Sequence, residues 1–130
     1  MQFEYSQHWK LKKKYRPDIT DDLIEYCIYH SDKLKTLGEL VSIVNTYRKY
    51  VKNSVIVTTN GCFDIFHYGH LCCLEDAKKY GDVLIVGVNS DKSVKKLKGK
   101  RRPLLKQEER AGIIAGIGVV DYVFILDEIT

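Results

Sequence analysis

The chain is poor in the features that mark membrane, secreted and metal-scaffold proteins. No apolar run in its 130 residues approaches the roughly 18 needed to cross a bilayer. The first residues, Met1-Gln2-Phe3-Glu4-Tyr5, hold no apolar h-region, so no secretory signal is visible. Cysteines number four, Cys27, Cys62, Cys72 and Cys73, with no C-x-x-C spacing. Cys72 and Cys73 are neighbours on a predicted helix, where successive side chains diverge by about 100° and need not share a partner. All four are expected to be reduced. A zinc site from His67, His70 and a cysteine lacks the usual ligand pattern, and no metal-ligating residue is assigned. There is no internal repeat and no low-complexity tract. Gly116-Ile117-Gly118 follows a helix rather than a strand, with no third glycine in place, so it reads as a helix end and turn rather than a dinucleotide fingerprint. What remains is a chain of ordinary globular composition, long enough for one domain with its own core, for which the cytoplasm is the expected compartment.

The net charge of +4 is local in origin. Lys10, Lys12, Lys13, Lys14 and Arg16 form one cluster; Lys92, Lys95, Lys96, Lys98, Lys100, Arg101, Arg102 and Lys106 form another. Such clusters attract polyphosphates and nucleic acid alike. The first reads as solvated lysines. The second lies close to a candidate phosphate site, which favours nucleotide handling over nucleic-acid binding.

Residues 1–36 carry a helix-start signal after Pro17 and an apolar spacing of Leu23, Ile24, Cys27 and Ile28, predicting an amphipathic helix over about 20–32. They form the first of two expected regions, an N-terminal helical extension; residues 37–130 form the second. Leu37, Leu40, Val41, Val44 and Tyr47 give a second helical stripe. Strands are predicted at 54–59, 83–88 and 121–126, helices at 71–79, 91–97 and 105–116. The run Val83-Leu84-Ile85-Val86-Gly87-Val88 is continuously apolar, as in parallel strands covered on both faces. Alternating strands and helices with right-handed crossovers make an α/β, Rossmann-like three-layer sandwich with a parallel sheet, whose ligands sit at the carboxyl ends of the strands.

At the end of the first strand stands Thr59-Asn60-Gly61-Cys62-Phe63-Asp64-Ile65-Phe66-His67-Tyr68-Gly69-His70. Two histidines three apart, with a glycine between them, open a helix. Unpaired amides and the positive end of the dipole favour an anion there. Gly61 and Gly69 lack a Cβ and let backbone approach a ligand closely. His67 and His70 can donate to phosphate oxygens.

This pattern resembles the His-x-Gly-His signature of the cytidylyltransferase-like nucleotidyltransferases. The further series Gly87-Val88-Asn89-Ser90-Asp91, Leu97-Lys98-Gly99, Arg102-Pro103, Glu109-Arg110 and Val120-Asp121-Tyr122-Val123 is similar to the adenylyltransferase domain of bacterial ADP-heptose synthase, over roughly residues 37–130. The resemblance implies transfer of the adenylyl group of ATP to a sugar 1-phosphate, with release of pyrophosphate and Mg²⁺ accompanying the nucleotide. A CTP-dependent cytidylyltransferase for glycerol 3-phosphate or a phospho-alcohol, and a non-catalytic nucleotide-binding module, are the alternatives.

It implies His67, His70 and Lys98 as catalytic residues, Lys98 reaching the phosphates from a loop that Gly99 frees to close; capping of the helix alone for the histidines, and a plain surface lysine for Lys98, are the alternatives. Asn60, Gly61, Cys62 and Phe63 would cradle the nucleotide, with Phe63 packing under the turn. Asn89, Asp91 and Arg110 would add nucleotide contacts; helix capping for Asp91 and an internal ion pair for Arg110 are the alternatives, and Arg102 would add charge nearby. Asp64 would anchor the turn or approach the substrate. No membrane partner is expected, and a homodimer is an assembly common in the superfamily.

Members of the family continue past the third strand with a further strand, a Lys-Gly-Gly-Asp-Tyr-like segment and a Ser/Thr-rich turn that contributes to nucleotide binding. None of these occurs before Thr130. A fragment, a shortened product of reduced or lost activity, and a site completed by a second copy are the three explanations open.

Overall fold

The computed structural model describes residues 33–128; the expected helix over 20–32 lies outside them. Thr36 starts the first element, α1 (Leu37–Tyr50). Its Oγ1 accepts from the Glu39 amide while the Glu39 carboxylate accepts from the Thr36 amide, so two orphan donors are satisfied reciprocally. Arg48 and Lys49 in its last turn suit the negative end of the helix. Then follow β1 (Ile56–Gly61), α2 (Tyr68–Lys78), β2 (Val83–Asn89), α3 (Asp91–Lys98), α4 (Gln107–Ala115) and β3 (Tyr122–Leu126). No helix among the described residues is long and apolar enough to cross a membrane.

The three strands are parallel in the order β1-β2-β3, with Thr58 opposite Ile85 and Val86 opposite Val123. All seven residues of β2 are buried, as its unbroken apolar run requires. Period-two alternation divides its side chains between two cores. Leu84, Val86 and Val88 face Leu74 of α2 and Ala111, Ile114 and Ala115 of α4. Val83 and Ile85 face Leu40, Val44 and Tyr47 of α1. Helices therefore cover both faces, the three-layer α/β arrangement expected of the sequence.

The outer edge of β3 is paired. The Val123 amide donates to the Lys33 carbonyl at 2.7 Å, and the Lys35 amide donates to the Val123 carbonyl at 2.8 Å. At the amino edge the Asp121 carboxylate accepts from Lys78 Nζ at 2.5 Å and from the Leu84 amide at 2.8 Å, joining α2, β2 and β3. Because the strands are parallel, Gly61, Asn89 and Leu126 all end on the opposite edge, where the histidine turn, the Ser90-Asp91 turn and the basic loop after α3 meet.

Candidate active site

The chain leaves β1 at Gly61 and turns through Phe63, whose φ of 48° lies in the left-handed region. The buried Phe63 ring folds back under the turn: a Cβ at Gly61 would stand 3.0 Å from Phe63 Cζ. A Cβ at Gly69 would stand 2.9 Å from Cε1 of His67. Both glycines make room first for the turn's own rings, not for a ligand.

His67 is the N-cap of α2. Its Nδ1 accepts from the Gly69 amide at 3.1 Å, while its own amide donates to Nδ1 of His70 at 3.3 Å. The two imidazoles stack with centroids 3.8 Å apart, and the Phe63 and Phe66 rings pack against His70, Phe63 edge-on at 5.3 Å. Capping fixes the tautomer. A neutral imidazole whose Nδ1 accepts carries its proton on Nε2, so both histidines have one N–H left to donate away from the helix. Partial burial, then the neighbouring His67 and Lys98, push the His70 pKa below the usual histidine range. Lys98, at the end of α3, is exposed and stands close enough for His70 to feel its charge. Gly99 follows it at φ 100°, a backbone position suited to glycine.

Asp64, the residue after Phe63, is turned inward. One carboxylate oxygen accepts from the Leu104 and Leu105 amides at 2.7 and 3.0 Å; the other accepts from Nε of Arg102 at 2.5 Å. Burial by itself raises its pKa, but the Leu105 and Leu104 amides and Arg102 outweigh it and hold the carboxyl below its ordinary value. Asp64 thus ties the basic loop to the histidine turn across 38 residues of sequence. No local pattern announces this pairing, and the sequence left the choice between anchor and substrate contact open.

Arg110 and Asn89 are expected nucleotide contacts whose side chains point the other way. The Arg110 guanidinium is fully buried. Nε donates to the Leu105 carbonyl at 2.9 Å, Nη1 to the carbonyls of Cys62 at 2.6 Å and Asn89 at 2.7 Å, and Nη2 to the Asp91 carboxylate at 2.8 Å. Arg110 joins β1, β2, α3 and the basic loop, the internal ion pair that the sequence held as its alternative. The Asn89 amide is buried and donates to Ser93 Oγ at 2.9 Å. Asp91 keeps a half-exposed carboxylate but spends one oxygen on Arg110, and its amide donates to Gln107 Oε1 at 2.9 Å. Ser90, rather than Asp91, caps α3, its Oγ accepting from the Ser93 amide. Burial of these groups follows from the crowded junction between β2, α3 and α4, which residue types alone do not reveal. Asn60, expected in the turn, is an exposed residue at the end of β1, and Cys62, the first residue past the strand, is half-buried. Cys62, Cys72 and Cys73 are free thiols; Cys27 lies outside the described residues. Among the described residues no three His, Cys, Asp or Glu side chains converge as a metal site.

The turn can therefore present two imidazole N–H donors, the amino end of an eleven-residue helix and a lysine to one anion. Comparison with known proteins agrees with that geometry. The bifunctional protein HldE of Geobacter metallireducens is 49% identical over 104 residues, 78% of this chain and 21% of that protein. HldE of Campylobacter concisus is 50% identical over 98 residues, 75% of this chain and 20% of that protein. The chain thus spans about a fifth of the length of these curated relatives. Among solved structures, the lipopolysaccharide core biosynthesis protein from Thermoplasma volcanium superposes with a TM-score of 0.53 at 35% identity, over 58% of this chain and 60% of that one. The family model described as cytidylyltransferase-like matches residues 58–130, which hold the histidine turn, all three helices of the carboxyl edge and two of the three strands; with the fold and the turn in agreement, this chain belongs to the cytidylyltransferase-like nucleotidyltransferase family.

Proposed function

We propose that the chain transfers the adenylyl group of ATP to a sugar 1-phosphate of the heptose-phosphate type. The observation that carries the reading is the capped histidine pair. His67 and His70 each hold Nδ1 on a backbone amide, which leaves Nε2–H to donate to the triphosphate. The ATP enters as its Mg²⁺ complex, the metal held chiefly by the nucleotide phosphates.

In this reaction an acceptor phosphate oxygen bonds to the α-phosphorus and the bond from that phosphorus to the oxygen bridging to the β-phosphate breaks. Pyrophosphate leaves with the electron pair. The nucleophile is already an anion, so no base is required, and the protein contributes positioning and neutralisation of the charge that builds on the α-phosphate. His67, His70, the positive end of the α2 dipole and Lys98 are the groups for this, with Asn60, Gly61, Cys62 and Phe63 cradling the nucleotide. ATP and sugar phosphates are cytoplasmic metabolites, and the cytoplasm is the compartment this reading assigns. The motif series similar to the adenylyltransferase domain of bacterial ADP-heptose synthase favours adenylyl over cytidylyl transfer.

Calorimetric titration of the chain with Mg-ATP and Mg-CTP, beside His70→Ala, tests the reading. Binding of Mg-ATP that the variant loses, followed by pyrophosphate release with a sugar 1-phosphate, is the expected result. Preference for Mg-CTP would assign the chain to cytidylyl transfer. Binding without turnover on any sugar phosphate would make it a nucleotide-binding module, and affinity untouched by His70→Ala would remove the site from the histidine turn.

A further inference from the structure

Arg102 is held unlike any other cation of the basic loop. Its Nε is bound to Asp64, whose side chain is 1% exposed, while the Arg102 side chain itself is 33% exposed. Neither Nη nitrogen meets an acceptor among the described residues. A guanidinium gripped by Nε alone keeps its planar Nη edge available, and that edge matches two oxygens of a phosphoryl group. The grip is rigid, since the same carboxylate is fastened by the Leu104 and Leu105 amides that follow Arg102. Asp64 also lies three residues before His67, on the turn that carries the histidines.

We propose that Asp64 is a positioning residue that folds the basic loop onto the histidine turn and holds Arg102 with its Nη edge toward a phosphoryl group bound there. The inference rests on the nucleotidyl-transfer reading and adds to it a clamp and the device that aims it. The phosphoryl group belongs either to the nucleotide or to the acceptor; both offer the same oxygens. A salt bridge that only stabilises the loop is the rival, and it differs in one respect: a lysine at position 102 would serve it nearly as well, whereas a lysine cannot supply the fork.

The test titrates the full chain with Mg-ATP and, separately, with inorganic phosphate as a stand-in for the acceptor phosphate. Affinities come from calorimetry, and the arginine side-chain ¹⁵N resonances are followed by NMR. One probe should move the Arg102 Nη signals, and that probe names the source of the phosphoryl group. Arg102→Ala should weaken the same probe at least about tenfold, the scale of a lost charge-assisted hydrogen bond, and Arg102→Lys should fail to restore it. Asp64→Asn, which keeps an oxygen for the two amides, should weaken it similarly, and the double variant Asp64→Asn/Arg102→Ala should be no worse than Arg102→Ala. Should Asp64→Asn not fold, the half-exposed Arg102 variants decide alone. Unchanged affinity for both probes in Arg102→Ala, or full rescue by Arg102→Lys, would overturn the clamp while His70→Ala still reports on the nucleotide reading. Multiplying losses in the double variant would overturn the positioning role. Failure of the wild-type chain to bind either probe would sink the nucleotide reading and the clamp with it.

Discussion

The two faces of the sheet are finished in opposite ways. On the face of α2 and α4, Leu84, Val86 and Val88 are closed over completely, and the carboxyl edge beside them is stitched by buried polar groups: Arg110, Asp64 and Asn89. On the face of α1, among the described residues, one helix covers Val83 and Ile85 but leaves a groove of about 290 Å³ along Leu37, Val41, Thr58 and Phe124. Leu37 and Val41, on the predicted apolar stripe of α1, remain 66% and 53% exposed. The contrast separates two ways of holding a fold. Apolar cover is tolerant and graded; a buried cation is all or none, because each of its N–H groups must find an acceptor. The site sits on the intolerant side, which suits a reaction that needs fixed donors.

Removing the central tie should have the largest effect. Arg110→Met would strand the carbonyls of Leu105, Cys62 and Asn89 and unpair Asp91. A loss of about 3–5 kcal/mol is expected from breaking such a buried set, read from urea unfolding; a loss below 1 kcal/mol would mean that the junction relaxes and the contrast is false. Next comes the closed apolar core. Leu84→Ala should cost about 2–5 kcal/mol by the same measurement, since the site has no room to collapse on either side.

A smaller effect concerns pH. The folded pKa of His70 lies below the ordinary value of about 6.5, so on acidification the unfolded chain takes up this proton first. The stabilisation from neutral His70 is complete above that value and is lost as pH falls through the folded pKa. Protonation also removes the Nδ1 acceptor that caps the helix. Unfolding midpoints at pH 8 and pH 5 should therefore differ more for the wild-type chain than for His70→Asn, whose side-chain oxygen accepts at any pH; equal differences would exclude His70 as the titrating group. The smallest change is expected on the open face. Val41→Ser should alter stability by no more than about 0.5 kcal/mol, as exposed sites generally do, and a larger loss would show that the groove is covered.

Much of the architecture was legible locally. The apolar run of β2, the glycine-rich turn after β1 and the amphipathic spacing of α1 announced the elements and their order, with boundaries off by a few residues: α2 begins at Tyr68 rather than Leu71, and β1 runs on to Gly61. The histidine turn was legible too, because its residues lie within a dozen positions and cap the helix they open. Its glycines had another reason than expected, since the space that they leave belongs to Phe63 and His67. The fates of the basic and polar side chains were not legible. Lys98, Arg102 and Arg110 look alike as cations near a phosphate site, yet one is exposed, one half-held and one consumed within the protein.

Short-range pattern was enough for the parallel α/β order, the central buried strand and an anion-favouring turn, because strand alternation, helix capping and glycine turns are settled within a few residues. Which charges face a ligand was decided only when β1, β2 and the basic loop came together. Asp64 meets Arg102 across 38 positions and Arg110 meets Cys62 across 48; a desolvated cation takes whatever acceptors the assembled junction provides, and that choice has no signature along the chain.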